Sequence, residues 1–304
     1  MVTTAKRRRK AVRLSAGDQV FMVFVYLFLS LALIIVLYPL IFVVSASFSD
    51  ARMVSSGRVW LWPVNPSLSA YEAVFKNPRI VMSFGNSLFY MGFGTLINLI
   101  LTVLAAYGLS RKNLVGRSFL TGVMVFTMLF SGGIIPSYLL MNDLHLLNTV
   151  WALLLCSGLS VWNVVVTRTY YQNTIPEEMH EAAMLDGCDE FGFLARIALP
   201  LSGPILAVMA LYYGVGHWNS YFNAMLYLRD ENLYPLQIIL RNILVLQNVD
   251  TSMIKDADVL LRMQGLAELL KYSVSVISTV PLLILYPFVQ KYFVKGVMVG
   301  ALKG

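Results

Sequence analysis

The chain has 304 residues, of which 58% are hydrophobic and only 13% are charged, and its mean hydropathy is +0.70. Ordinary soluble domains contain about 45–50% apolar residues, so this composition excludes that class and indicates an integral membrane protein. The net charge of +7 is concentrated in a basic cluster ahead of the first apolar segment, comprising Lys6, Arg7, Arg8, Arg9, Lys10 and Arg13. Such a cluster is typical of an anchor at an anionic cytoplasmic leaflet, which predicts contact with membrane lipid and no binding of nucleic acid.

Six apolar segments are long enough to cross a bilayer, whose hydrocarbon core of about 30 Å needs roughly 20 apolar residues in a helix. They are approximately Val20–Ser45, Phe84–Leu109, Phe119–Leu140, Val150–Tyr170, Leu201–Tyr227 and Tyr272–Val289. We therefore predict an all-α membrane protein with six transmembrane helices over residues 20–290, preceded by a basic segment at residues 1–19 and followed by a tail at residues 291–304.

The charges of the connecting segments predict the orientation. If the amino terminus lies inside, the short connection with Arg111 and Lys112 and the carboxyl-terminal tail also face the cytoplasm. The basic excess then falls inside, as expected for cytoplasmic loops, so both termini are predicted to be cytoplasmic. The outer loops, at about 48–83 and 228–271, fit either surface helices on the bilayer or the docking of an external partner.

The third apolar segment contains a pattern that breaks helices, SGGIIPSY at residues 131–138. Gly132 and Gly133 weaken a helix, and Pro136 removes a backbone hydrogen bond. Such a break is tolerated at membrane depth where neighbouring helices or a wet cavity satisfy the freed groups. The pattern fits a kink, or a broken helix beside a pathway.

A short acidic helix is predicted between the fourth and fifth segments. Thr174 and Glu177 form a capping-box pattern, and Pro176 suits a first helical turn. The helix is predicted to begin near Ile175 and to end at Gly187, which permits the left-handed conformation of a helix end.

This helix carries Glu181, Ala182 and Ala183, which form a slim surface with one carboxylate that can accept charge-assisted hydrogen bonds from a partner protein. The alternative is an amphipathic helix resting on lipid headgroups. Helices of that kind are usually rich in Lys and Arg, whereas this one is acidic.

The fifth segment is unusually polar and aromatic. Its candidate pathway residues are Tyr212, Tyr213, His217, Trp218, Asn219, Tyr221 and Asn223, with Trp162 and Asn163 as weaker candidates in the fourth segment. In a continuous helix, Tyr212, Asn219 and Asn223 would share one face. Amides bind sugar hydroxyls, and aromatic rings cover the flat faces of sugars. Hydrogen bonding between helices is the alternative role for each residue.

The sequence offers no catalytic, metal or cofactor site. Cys156 and Cys188 have no metal-ligand spacing, and His145, His180 and His217 fall in three different regions of the predicted topology. The chain has no G-x-x-x-x-G-K-[ST] loop to hold ATP phosphates. We therefore predict a protein that is not an enzyme and that draws energy from another subunit or from a gradient. An intramembrane enzyme would need paired acids or a nucleophile with a base, and none is present.

One spacing matches a known signature. EAA at residues 181–183, Gly187 and IALP at residues 197–200 resemble the EAA signature of permease subunits in binding-protein-dependent ABC importers. The stretches SFGNSLFY, GGIIPSYLLMNDLHLLNTVWALLL, HWNSYFNAML and QKYFVKGVMVGALKG are similar to the carbohydrate-uptake branch of that family, in particular to oligosaccharide permeases related to the maltose-type transporters.

The resemblance implies a type I ABC importer permease in the cell inner (cytoplasmic) membrane. Its cytoplasmic loop, at about 171–200, would dock in a groove of a cytosolic ATPase through Glu181, Ala182, Ala183, Asp186, Gly187, Ile197, Leu199 and Pro200. The implied partners are a second homologous permease, an ATPase dimer that binds ATP and Mg, and an external solute-binding protein. The implied cargo is a di- or oligosaccharide, with an acidic oligomer as one alternative, moved by alternating access. The competing hypothesis is a secondary carrier driven by an ion gradient, although only His217 is ionisable and central within a predicted span.

Overall fold

The computed structural model describes residues 15–245 and 257–301, and within these ranges every regular element is helical. The first half contains α1 (Ala16–Ser47), α2 (Ala51–Ser55), α3 (Ser69–Lys76), α4 (Pro78–Ser110), α5 (Arg117–Leu129), α6 (Ile134–Asp143) and α7 (Val150–Cys156). The second half contains α8 (Val161–Thr174), α9 (Glu177–Leu185), α10 (Glu190–Phe193), a π-helical turn (Leu194–Ala198), α11 (Leu199–Leu201), α12 (Gly203–Trp218), α13 (Phe222–Tyr227), a 3₁₀ turn (Glu231–Leu233), α14 (Leu236–Val245) and α15 (Ala257–Ala301). The predicted all-α fold class is confirmed. The predicted basic cluster at residues 6–13 lies outside the described residues.

The membrane-spanning candidates overlap the six predicted segments, although the fifth begins at Glu190 and ends at Trp218 instead of covering Leu201–Tyr227. Three stretches are long and apolar enough alone: α1, α4 and Gly265–Pro287 within α15. Three pairs pass the same test only together, namely α5 with α6, α7 with α8, and Glu190–Leu201 with α12, which are bent by 116°, 51° and 82°. Over the described residues there are thus three spans, or up to six if each bent pair is one span, so the count of six stays a prediction.

The bend between α5 and α6 lies at the glycine pair of the sequence. Gly133 has a φ of 87°, a backbone conformation that favours glycine. Pro136 lies in the first turn of α6, where its missing N–H leaves no intrahelical bond unmade. The two helices therefore meet at a sharp angle without a strained residue.

The fifth region differs from the prediction of one helix over Leu201–Tyr227. α12 ends at Trp218, and α13 begins at Phe222. The intervening Asn219 and Ser220 carry short polar side chains that compete for backbone hydrogen bonds and disfavour a helix interior. The prediction that Tyr212, Asn219 and Asn223 share one helical face is therefore wrong.

The last helix also differs from its predicted bounds. α15 begins at Ala257, inside the predicted outer loop, and continues to Ala301, inside the predicted tail. Charged residues such as Glu268 and Lys271 end the apolar window that marks a membrane core, but they do not end a helix. Hydropathy therefore located the span and missed both ends of the element.

The buried core follows α4. Near the carboxyl end of α4, Val103 and Ala106 pack with Tyr171 of α8 and Phe193 of α10. Around the opposite end, a second cluster includes Tyr90, Leu153, Ala224 and Leu228. By contrast, the most apolar window of α1 has no buried residue, and neither do α5 and α6. Those helices present their apolar surface to lipid or to another chain.

Candidate functional site

The acidic loop, defined here as residues 175–201, opens with the amino-terminal end of α9. Pro176 is the N-cap of α9, and no side chain caps the helix. Thr174 is the last residue of α8, so the predicted capping box is wrong. Glu177 and Glu178 lie in the first turn, where the helix dipole favours carboxylates.

The end of α9 is a Schellman motif. The N–H of Gly187 donates to the carbonyl of Met184 at 3.0 Å, and the N–H of Cys188 donates to the carbonyl of Ala183 at 2.9 Å. Gly187 has a φ of 81°, which other residues adopt only with strain. The reversal that follows brings α10 back beside α9.

The two faces of α9 have opposite characters. His180 is buried, 5% exposed, against the core beside α4, and so is Ala183, at 9%, which is one of the predicted docking residues and faces inward. The predicted docking residues Glu181, Ala182, Asp186 and Gly187 are exposed. The structure adds Leu185, which is 90% exposed. An acidic surface with a protruding apolar side chain therefore faces away from the protein.

The second part of the acidic loop leads into α12 through irregular helix. Phe191 of α10, which is 71% exposed, is a second apolar side chain of the acidic loop that the chain itself does not cover. The π-helical turn precedes Pro200, which cannot donate an intrahelical hydrogen bond. Of the remaining predicted docking residues, Ile197 and Leu199 are half-buried and Pro200 is exposed.

A cavity of about 210 Å³ lies where the break between α7 and α8 meets the break between α12 and α13. It is lined by Ser157, Tyr212, Tyr213, Gly216, His217, Asn219, Ser220, Tyr221, Phe222 and Asn223. Most of the predicted pathway residues therefore share one concave surface, although they do not share one helix.

Three of the predicted pathway residues lie elsewhere. Trp218 is fully buried, with its Nε1 donating to the carbonyl of Ser278 at 2.8 Å and its ring edge-to-face with Phe84. It packs α12 against α4 and α15. Trp162 is 62% exposed and Asn163 is 6% exposed, and neither lines the cavity.

Trp218→Phe should therefore destabilise the protein. The substitution leaves the buried Ser278 carbonyl without its indole donor, which costs about 1–3 kcal/mol. We expect a lower melting temperature in detergent. Trp162→Phe, at an exposed tryptophan, is the matched control and should melt like the wild type. Equal melting of both variants would contradict the packing role of Trp218.

Polar contacts join the cavity wall to α4. Nε2 of His217 lies 2.7 Å from Oδ1 of Asn98, and the hydroxyls of Tyr213 and Thr102 lie 2.6 Å apart. Nδ2 of Asn98 donates to the carbonyl of Ser157 in the α7–α8 break. Buried polar groups need such partners, so α4 holds the cavity residues of two broken helices in place.

A second cavity of about 520 Å³ adjoins the first through shared residues, Phe222 and Asn223. Ser131, Gly133, Ile134 and Ser137 bring the α5–α6 break to its wall. Of the three predicted helix-break residues, Gly133 lines this cavity, whereas Gly132 and Pro136 do not. The concave surfaces thus connect three broken helices.

The comparisons with known proteins agree with this geometry. No family profile matches the sequence. The chain is 39% identical over 288 residues to the polygalacturonan/rhamnogalacturonan transport system permease protein YtcP of Bacillus subtilis, covering 94% of this chain and 99% of YtcP. It is 37% identical over 270 residues to Protein LplC of Bacillus subtilis, covering 89% of this chain and 90% of LplC.

A solved structure is similar over nearly the whole length. It is the crystal structure of a bacterial ABC transporter involved in the import of the acidic polysaccharide alginate, one chain of which matches with a TM-score of 0.86 and 33% identity, covering 93% of this chain and 100% of that chain. With relatives at this identity over this coverage, the chain belongs to the family of permease subunits of carbohydrate ABC importers.

Proposed function

We propose that the protein is one permease half of an ATP-driven importer that moves a di- or oligosaccharide from an external solute-binding protein into the cytoplasm by alternating access. The observation that carries the proposal is the acidic loop, whose outward face combines Glu181 with the 90% exposed Leu185. An apolar side chain this exposed in a polar loop is suited to burial against a partner. The cytosolic ATPase dimer that binds ATP and Mg is that partner.

The proposed topology has both termini in the cytoplasm, and internal contacts support its grouping of the connecting segments on two sides of the membrane. Nζ of Lys112, in the α4–α5 connection, lies 4.0 Å from Oε2 of Glu177 in the acidic loop. At the other side, Nδ2 of Asn86 donates to the carbonyl of Asn232 at 2.7 Å, and Ser55 donates to Glu268 at 2.7 Å. The predicted inner segments thus contact one another, and so do the predicted outer segments.

A second permease is needed to complete the pathway. The first cavity, of about 210 Å³, is by itself smaller than the roughly 300–1,000 Å³ of ordinary ligand pockets, and the adjoining cavity of about 520 Å³ has the α5–α6 break in its wall. The α5–α6 pair, with no buried residue, borders the larger cavity. A homologous permease that packs against this pair would close the pathway.

The proposed cargo is an acidic oligosaccharide. Two relatives support this class, because YtcP is named for polygalacturonan and rhamnogalacturonan and the similar solved transporter imports alginate. No Lys or Arg lines the first cavity. Its phenol hydroxyls and amide N–H groups can donate charge-assisted hydrogen bonds to a carboxylate and neutral ones to sugar hydroxyls.

Purification of the detergent-solubilised native protein tests the function. We expect an ATPase and a second permease to co-purify, and ATP hydrolysis to rise when a binding protein loaded with oligogalacturonate or alginate oligosaccharide is added. Maltotriose, a neutral sugar, is the control for the charge of the cargo. A lone polypeptide from well-preserved membranes, with uptake that follows an ion gradient without ATP, would support the secondary carrier.

A further inference from the structure

The inner face of the acidic loop is joined to the end of α4 by one carboxylate. The hydroxyl of Tyr107 donates to Oε2 of Glu190 at 2.7 Å, and Nε2 of His180 lies 3.0 Å from Oε1 of the same residue. Tyr107 belongs to α4, His180 to α9 and Glu190 to α10. Two neighbouring helices of the acidic loop and the end of α4, which is distant in sequence, therefore meet at a single side chain.

Aromatic packing restricts the movement of these groups. The ring of His180 is edge-to-face with Phe193, with centroids 4.9 Å apart, and both Tyr107 and Phe193 are buried. The guanidinium of Arg111 lies 5.0 Å from the Tyr107 ring centroid, where a cation–π contact is favourable. Lys112 and Glu177 form a second bridge between the same two parts of the chain.

The same α4 helix carries the polar contacts of the cavity. Asn98 and Thr102, which hold His217 and Tyr213, precede Tyr107 by nine and five residues. At a rise of 1.5 Å per residue, Asn98 is about 13 Å along the helix from Tyr107. One rigid element thus extends from the acidic loop to the cavity.

The direct covalent route from the acidic loop to the cavity is bent. The chain turns by 82° between Glu190–Leu201 and α12, at Ser202. A push on α9 that followed the chain would therefore have to change direction before it reached α12. The packed connection through α4 is a second and straight route between the same two places.

We propose that Tyr107, His180 and Glu190 are positioning residues that lock the acidic loop to the end of α4, so that the loop and α4 move as one body during transport. The inference rests on the proposed function, since it names the path by which the ATPase acts on the cavity. It assigns these three residues no contact with the ATPase or with sugar.

The first test weakens the joint while keeping the shapes of the side chains: Tyr107→Phe removes the phenol hydroxyl, and Glu190→Gln removes the negative charge that makes the bond charge-assisted. Tyr107→Phe, Glu190→Gln and the double variant are reconstituted with the ATPase and the partner permease in proteoliposomes. The ratio of ATP hydrolysed to oligogalacturonate transported should rise in each single variant by about tenfold, the effect of one charge-assisted hydrogen bond. The double variant should be no worse than the more impaired single variant, because each single variant already lacks the charge-assisted bond between Tyr107 and Glu190.

The matched control is Tyr90→Phe, which removes a buried tyrosine hydroxyl from the same helix. Tyr90 donates to the carbonyl of Leu233 at 2.9 Å, far from the acidic loop. The Tyr90→Phe variant should have the same ratio of ATP hydrolysed to oligogalacturonate transported as the wild type. An unchanged ratio in the Tyr107→Phe and Glu190→Gln variants, or the same rise in Tyr90→Phe, would overturn the inference.

A second test uses cross-linking. Lys112→Cys and Glu177→Cys are combined in a background with Cys156→Ser and Cys188→Ser and joined by a short bis-maleimide. If the acidic loop and α4 move as one body, the cross-linked transporter keeps its uptake rate. Loss of uptake on cross-linking, with full activity before it, would show that the two parts slide past each other.

These outcomes are distinct from a failure of the proposed function. If no ATPase assembles with the wild-type chain, or if no sugar stimulates hydrolysis, the function fails. The function stands and only the joint at Glu190 fails in a different case. There, sugar stimulates the wild type, the Tyr107→Phe and Glu190→Gln variants keep its ratio of hydrolysis to transport, and the cross-linked chain loses uptake.

Discussion

The Glu181→Lys variant is expected to insert into the membrane and melt like the wild type, but to lose at least about tenfold in sugar-stimulated ATP hydrolysis. Glu181 is exposed and makes no contact with the core beside α4, so its replacement leaves the fold intact. At an interface, reversing one charge turns an attraction into a repulsion that costs several kcal/mol. Hydrolysis and uptake are measured in proteoliposomes with the ATPase, the partner permease and a loaded binding protein.

The matched control reverses the charge of an exposed glutamate in a helix of the predicted outer loop. Glu72 lies in α3, with its side chain 66% exposed beside Lys76. Because that surface ion pair contributes little, Glu72→Lys should keep both hydrolysis and uptake. Wild-type stimulation in the Glu181→Lys variant would count against docking of the ATPase on α9.

The Gly94→Ala variant is expected to lower the free energy of unfolding by about 1–3 kcal/mol, the usual cost of overpacking, and to reduce uptake. A methyl group at Gly94 would overlap the imidazole of His217. That ring is buried and hydrogen-bonded to Asn98, so it cannot move aside without breaking the contact that positions the cavity wall. The melting temperature in detergent and the uptake rate in proteoliposomes are the measurements.

The same helix supplies its own control at Gly92. Nothing lies within 4 Å of a methyl group placed there, so Gly92→Ala should be neutral or slightly stabilising, because alanine favours a helix more than glycine does. Equal stability and equal uptake in the two variants would contradict the close approach of α4 to α12.

The positions of the helical regions could be predicted because the membrane imposes a simple length rule on apolar residues. The ends of the elements could not, since that rule concerns the lipid and not the backbone. α15 extends past both limits of its apolar window. The end of α12 at Trp218 depends on Asn219 and Ser220. Asparagine and serine also occur inside helices, so they do not predict a helix end by themselves.

The exposed face of the acidic loop was accessible from the sequence because its signature is local. The sequence did not predict which aromatic residues line the cavity and which are buried in the core. Tyr213 and Trp218 lie in the same apolar segment, yet one lines a cavity and the other is fully buried. Both lie in α12, and the sequence alone does not show which side of that helix packs against α15 and which side faces the cavity. The contact of Tyr107 with Glu190 joins residues far apart in the chain, and no short-range pattern indicates it.

The length of α15 gives the protein a further property. A helix of 45 residues measures about 68 Å, more than twice the roughly 30 Å of a bilayer's hydrocarbon core. A helix of this length extends past the hydrocarbon core at both ends, so the membrane-crossing window Gly265–Pro287 continues as helix on both sides. Pro281 and Pro287 each remove one intrahelical hydrogen bond, so a change of tilt in one part of α15 can be taken up by bending there instead of moving the whole helix as a rod.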